Sequence, residues 1–200
     1  MRKVEINYDR VVFINLTEMD RYDGPVKGLK GGGSFVDDEG YGHEIFNFLN
    51  DNGRCYGYTP FYGNINLSRI SKNEISQDKL GKYIDDVFVV FTCTRLPKGG
   101  RLVCGFYQNA RVYGKAVDDN RISRQIDTNG QRVFAEYNII CDVENAFLIN
   151  RNDRVKQLPP AKGSIDGIGH GQSAVWYSDD PKRYKLRNDL LGYIETLVND

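Results

Sequence analysis

Basic and aromatic side chains interleave most densely between Arg95 and Arg132, where eight Lys or Arg stand against three acidic residues for a local charge of +5. Cations spaced along one face neutralise phosphates, so Arg95, Lys98, Arg101, Arg111 and Lys115 are candidates for contact with a nucleic-acid backbone. The plainer reading is a solvated hairpin kept soluble by its charges, and charge alone does not separate the two. The aromatic set adds weight. Tyr22, Phe35, Tyr41, Tyr56, Tyr58, Phe61, Tyr62, Phe106, Tyr107 and Trp176 mostly neighbour glycines or turn residues. Rings at strand ends and loops stack flat ligands such as an extruded base. Each ring taken singly is more simply explained by packing, whereas the set together points to a pocket.

Other chemistries find less support. His43 and Glu44 are adjacent, with Ser34 upstream, but there is no G-x-S-x-G elbow, so nucleophilic catalysis is not signalled. The run Gly167-Ile168-Gly169-His170-Gly171-Gln172-Ser173 is glycine-rich yet lacks the Lys and Ser/Thr of a P-loop. Its backbone N–H groups, with Gln172 and Ser173, suit a phosphate or a base edge better than nucleotide hydrolysis. Two histidines and four cysteines without any C-x-x-C pairing leave no metal frame, and no cofactor is expected. Cys55, Cys93, Cys104 and Cys141 lie in apolar or aromatic runs and read as reduced core thiols.

The elements that must position these residues are mainly strands. Val11 to Leu16 is a β-branched run expected to form a buried strand, and residues 44–48 are expected to form another. Residues 67–83, with Ile70, Ile75 and Leu80 among charges, suggest one or two short outer helices. Val87 to Thr94 and Arg101 to Tyr107 flank a Leu-Pro-Lys-Gly-Gly turn and read as a hairpin, with further strands at 111–115, 133–141 and 146–149. At the C-terminus, Asp180 caps and Pro181 opens a helix whose Leu190, Leu191, Ile194, Leu197 and Val198 form one apolar stripe. Two hundred residues without repeats or linkers predict a single α+β domain over 1–200, built on a small curved β-barrel with flanking helices.

Composition sets outer limits. Equal numbers of basic and acidic side chains, 27 each, exclude a globally basic protein, so any phosphate-binding face is local. No window approaches the roughly 18 apolar residues of a spanning helix, and the N-terminus has no signal-like apolar region. A cytoplasmic protein without a membrane partner is expected.

The order of several motifs carries a resemblance. Phe13-Ile14-Asn15-Leu16, then Gly32-Gly33-Ser34-Phe35-Val36, Gly42-His43-Glu44 leading to Asn47-Phe48, and Cys55-Tyr56-Gly57-Tyr58 are followed by Val103-Cys104-Gly105-Phe106-Tyr107-Gln108-Asn109-Ala110-Arg111-Val112-Tyr113 and Gly171-Gln172-Ser173-Ala174-Val175-Trp176-Tyr177. This series resembles the N-terminal modified-base reader of bacterial modification-dependent HNH restriction endonucleases, similar to the EVE and YTH branches of the PUA-like superfamily. Phe106 stands where those readers usually carry Trp. The resemblance implies a PUA-like barrel that binds duplex DNA and flips one nucleotide into an aromatic cage. It also implies Ser34, Phe35, Asn47, Tyr56, Tyr58, Phe106, Tyr107, Asn109 and Trp176 as base-pocket residues, with Gln172 and Ser173 at the DNA-facing edge. The expected base is 5-methyl- or 5-hydroxymethylcytosine. No HNH module is legible, so the chain is expected to be non-catalytic, the specificity element of a restriction system whose nuclease is fused or separate. Two rival expectations are a YTH-like reader of modified single-stranded RNA and, well behind, a small enzyme acting on a nucleotide-like ligand through His43, Glu44 and residues 167–173.

Overall fold

The computed structural model describes residues 4–25, 42–60, 63–71, 73–94, 100–118, 120–128, 131–162 and 167–199. Its backbone is organised by β1 (Val11–Leu16), β2 (Arg54–Gly57), β3 (Ser76–Asp78), β4 (Gly81–Thr94) and β5 (Arg101–Val117). Next come β6 (Gln125–Thr128), β7 (Gln131–Phe134), β8 (Tyr137–Asp142), β9 (Ala146–Leu148), β10 (Gln157–Leu158) and β11 (Val175–Trp176). One α-helix, α1 (Tyr184–Asn199), ends the chain. The main sheet runs in the order β11-β1-β4-β5-β8-β2, with β3 on β4 and both β9 and β10 on β5, while β6 and β7 form a separate ribbon. The α+β class therefore holds. Among the described residues no pairing joins β2 to β11, so the main sheet is open and not a closed barrel.

The continuous apolar run of β1 follows from burial on both faces. Alternation sends Val12, Ile14 and Leu16 into one core and Val11 and Phe13 into a second. The second core lies under α1, whose Leu190, Leu191 and Ile194 are fully buried with Phe88, Val90, Phe106 and Trp176. Asp180 accepts a hydrogen bond from the Lys182 N–H at 3.0 Å, and Pro181 opens a 3-10 turn that runs into the helix.

The β4–β5 hairpin carries the curvature. Its pairing slips at three bulges, one beside Asp85 and Asp86, one between Tyr107 and Ala110, and one between Val103 and Gly105. Asp86 and Asn109 take the left-handed conformation there, at φ 58° and 53°, which short polar side chains tolerate better than most. β5 keeps β4 along one edge and meets β10, β9 and β8 in turn along the other. At Gly105 the approach is so close that a Cβ would sit 2.6 Å from the Phe147 carbonyl oxygen and 2.7 Å from the Phe48 ring.

The strand expected over 133–141 is split between β7 and β8, and those expected at 101–107 and 111–115 are the single β5. Two further expected elements change type. Residues 44–48 do not form a strand: His43–Phe46 is a 3-10 turn whose Glu44, Ile45 and Phe46 are all buried, closed by hydrogen bonds from Ile45 N–H to Gly42 O and from Asn47 N–H to Glu44 O. Residues 67–83 hold a 3-10 turn, Leu67–Arg69, and then β3 and the start of β4 instead of helices, with Ile75 and Leu80 left exposed. The four cysteines are buried free thiols. No helix among the described residues is long and apolar enough to cross a membrane.

Candidate nucleic-acid interface

Where β2 ends, one polar side chain fixes an aromatic. The fully buried Asn47 donates from Nδ2 to the Tyr58 carbonyl at 3.0 Å and accepts from the Tyr58 N–H at 2.8 Å. This amide imitates a strand partner for one residue, so Tyr58 is held although β2 has stopped. Thr59 is held next, its N–H and hydroxyl both donating to Asn138 Oδ1 at 3.1 and 3.2 Å. The His43 ring packs on Tyr58 with centroids 4.9 Å apart and a 37° tilt.

The surroundings are polar but tied. His43 Nδ1 accepts from the Glu136 N–H at 3.0 Å, and burial, then the nearby Arg124 cation, lowers the imidazole pKa. The ring is therefore neutral, with its proton on Nε2. Arg124, itself buried, donates to the carbonyls of Phe46, Tyr56, Ala135 and Glu136. It thereby joins the 3-10 turn, β2 and the link between β7 and β8. Glu44 turns away to accept from the Thr17 hydroxyl at 2.8 Å, and burial raises its pKa. Adjacent in sequence, His43 and Glu44 are thus committed to different partners, and the arrangement does not compose the acid–base pair that the enzyme reading needs.

Tyr58 is half-buried, whereas the other described aromatics of the expected cage are taken up by packing. Phe106 stacks between Phe88 and Phe147, with centroids 5.4 Å from each. Trp176 meets Phe13 edge-on at 4.8 Å and lies 6.2 Å from the His170 ring, in the same core. Tyr107 is wholly buried in the opposite core against Phe48 and Phe91. Burial, followed by the neighbouring Cys55 and Cys141, pushes its phenol pKa up. Phe106 and Tyr107 are consecutive in β5 and point to opposite faces, so they do not share one pocket. Tyr56 is buried edge-on to Tyr137 at 5.0 Å, with the Arg121 guanidinium 4.2 Å from its ring centre. Asn109 is exposed at its bulge and serves the backbone turn. Ser34 and Phe35 lie outside the described residues.

The expected phosphate contacts divide similarly. Arg95 and Lys98 lie outside the described residues. Arg101 is half-buried and donates to the carbonyls of His170 and Gly171 at 3.2 and 2.8 Å. It thus serves to hold the glycine-rich loop. Arg111 forms a two-point contact with Asp85 at 2.7 and 3.0 Å and lies 3.9 Å over the Tyr83 ring. Its charge is spent locally, and the Asp85 hydrogen bond raises its pKa further. Lys115 is exposed, as are Gln172 and Ser173. The loop bearing the last two is pinned by His170 N–H to Pro159 O and Ala161 N–H to His170 O, at 2.9 and 3.0 Å. A Cβ on Gly169 would lie 2.1 Å from Pro159 O, so glycine there serves close backbone packing.

The sequence reading did not single out Asn138, Arg124 or Glu136. Asn138 had a signal as the lone polar residue in the apolar run 137–141; Arg124 entered only as one of the eight basic residues of 95–132, and nothing local marks it as buried, because its carbonyl partners are scattered along the chain. No protein-family model, curated protein or solved structure matches the chain. The likeness to modified-base readers is carried by the motif order alone.

Proposed function

We propose that this chain is a non-catalytic nucleic-acid-binding module that reads a modified base in duplex DNA, with the extruded base stacking against Tyr58. One observation carries the reading: among the described aromatic cage candidates Tyr58 is the one that is half-buried and not buried, and Asn47 and His43 hold it in place. The Glu136 carboxylate, 3.9 Å from His43 Nδ1, is the proposed acceptor on this side of the site. Ser34 and Phe35 belong to the proposal on sequence grounds. A PUA-like fold in an open, curved form is also part of it, supported by three register shifts between β4 and β5. An HNH nuclease, fused or separate, is the proposed partner within a modification-dependent restriction system, and 5-methyl- or 5-hydroxymethylcytosine the proposed base.

Flipping costs a few kcal/mol and stacking returns about 1–3 kcal/mol, so the pocket must discriminate through the added group itself. The test is fluorescence anisotropy against duplexes identical except for cytosine, 5-methylcytosine, 5-hydroxymethylcytosine or N6-methyladenine, with modified single-stranded RNA in parallel. The expected result is preference for one modified duplex, and a loss of about 5- to 150-fold on Tyr58→Ala. Equal affinity for all four duplexes overturns the reading, and tighter binding of the RNA moves the function to the YTH-like alternative.

A further inference from the structure

An open cavity among the described residues lies outside the site at Tyr58. It is a cleft of about 600 Å³ between the start of β4, the end of β5 and the turn at Leu67–Arg69, a size that suits a ligand of roughly 300–1,000 Å³. Asn64, Asn66, Gln77, Lys82 and Lys115 supply its polar walls, and Leu67 an apolar floor. No acidic side chain lines it, in a chain with 27 of them. Lys82 and Lys115 also differ from the arginines of this region. Arg10, Arg69, Arg111 and Arg121 are each paired with a carboxylate. Neither lysine side chain has an ion pair or hydrogen bond among the described residues.

Pairings along β5 and β8 link the elements of the cleft to those of the Tyr58 site. Ile65 N–H bonds the Gly114 carbonyl at 2.8 Å, beside Lys115. Two residues beyond Lys115, Val117 pairs with Tyr137, the neighbour of the Asn138 that holds Thr59. We infer that this cleft takes the sugar–phosphate strand flanking the base presented at Tyr58, Lys82 and Lys115 meeting phosphates and the carboxamides of Asn64 and Gln77 meeting sugar or base edges. This inference rests on the proposed function. Two unpaired ammonium groups without a carboxylate between them suit a polyanion, and the carboxamides beside them provide the donor–acceptor pairs that nucleotides use.

The experiment is an anisotropy titration of the full chain with the preferred duplex across a salt series. The variants are Lys82→Gln/Lys115→Gln and Asn64→Ala/Gln77→Ala, each checked by thermal unfolding. The lysine pair is expected to lose about tenfold in affinity at about 0.1 M salt and to flatten the slope of log K against log salt by about 1–2, with the preference for the modified base kept. The amide pair is expected to lose a few-fold without a change in slope. Wild-type affinity and slope in the lysine variant, with binding and base preference intact in the parent, overturn the cleft assignment alone. Absence of nucleic-acid binding by the parent overturns the proposed function and the cleft with it. A polyglutamate peptide that binds more tightly than the duplex, with the same lysine dependence, assigns the cleft to an acidic protein and overturns the strand.

Discussion

At the scale of single residues, Asn47 and His170 show how one side chain decides local order. Asn47 satisfies both backbone groups of Tyr58 from a fully buried position. Asn47→Ala leaves that donor and acceptor without their partner, at about 1–3 kcal/mol each, and urea unfolding should record a loss of about 2–5 kcal/mol. Asn47→Asp should behave no better, because an ionised carboxylate has no N–H for the Tyr58 carbonyl. His170 makes the fold sensitive to acid. Its Nε2 lies 2.7 Å from the Ser173 carbonyl, while burial, then Arg101, pushes its pKa down to about 3. An unfolded histidine protonates near 6.5, so below about that pH the unfolded state binds the extra proton. The stability from a neutral buried His170 is complete above about pH 6.5 and falls by about 1.4 kcal/mol per pH unit toward pH 3. His43 adds a change of the same sign. Unfolding followed through Trp176, the sole tryptophan, should show this slope, and His170→Gln should flatten it.

Among the elements, α1 and β5 carry the largest consequences. Leu190, Leu191 and Ile194 are buried without remainder, so Ile194→Ala should cost about 2–5 kcal/mol in chemical unfolding. Gly105→Ala tests the bend in β5. A methyl 2.6 Å from the Phe147 carbonyl oxygen meets backbone that a side-chain rotation cannot clear. It should destabilise by about 1–3 kcal/mol and increase exchange of the β9 amides in hydrogen-exchange measurements. The strands β1 and β9, the Val87–Thr94 part of β4, the two halves of β5 and the C-terminal helix were legible because their runs or stripes persist along neighbouring residues. The 3-10 turn at His43–Phe46 was not. Glu44 is buried there because Thr17, distant in sequence, donates to it, and no local period expresses such a pairing.

In the whole molecule, the described residues form three buried apolar clusters, two on opposite faces of the sheet and a smaller one around Tyr56, and their division decides which aromatics are buried. Removal of α1 by ending the chain after Asp180 should expose the core around Phe13, Phe88, Phe106 and Trp176. Such a chain is expected to bind a hydrophobic dye and show no cooperative unfolding, because that core loses its cover. The sequence by itself determined an α+β chain with a long central hairpin, buried thiols and a capped C-terminal helix with one apolar stripe. These follow from alternation, helical period and end chemistry, all carried by neighbouring residues. Only the tertiary structure decided that Phe106, Tyr107 and Trp176 fill cores, that Arg101 and Arg111 spend their charges on carbonyls and Asp85, that Tyr58 stays half-buried, and that Lys82 and Lys115 line one cleft. Those outcomes depend on register, bulges and partners far away in the chain, and residue type fixes what a side chain is able to bind without fixing what reaches it first.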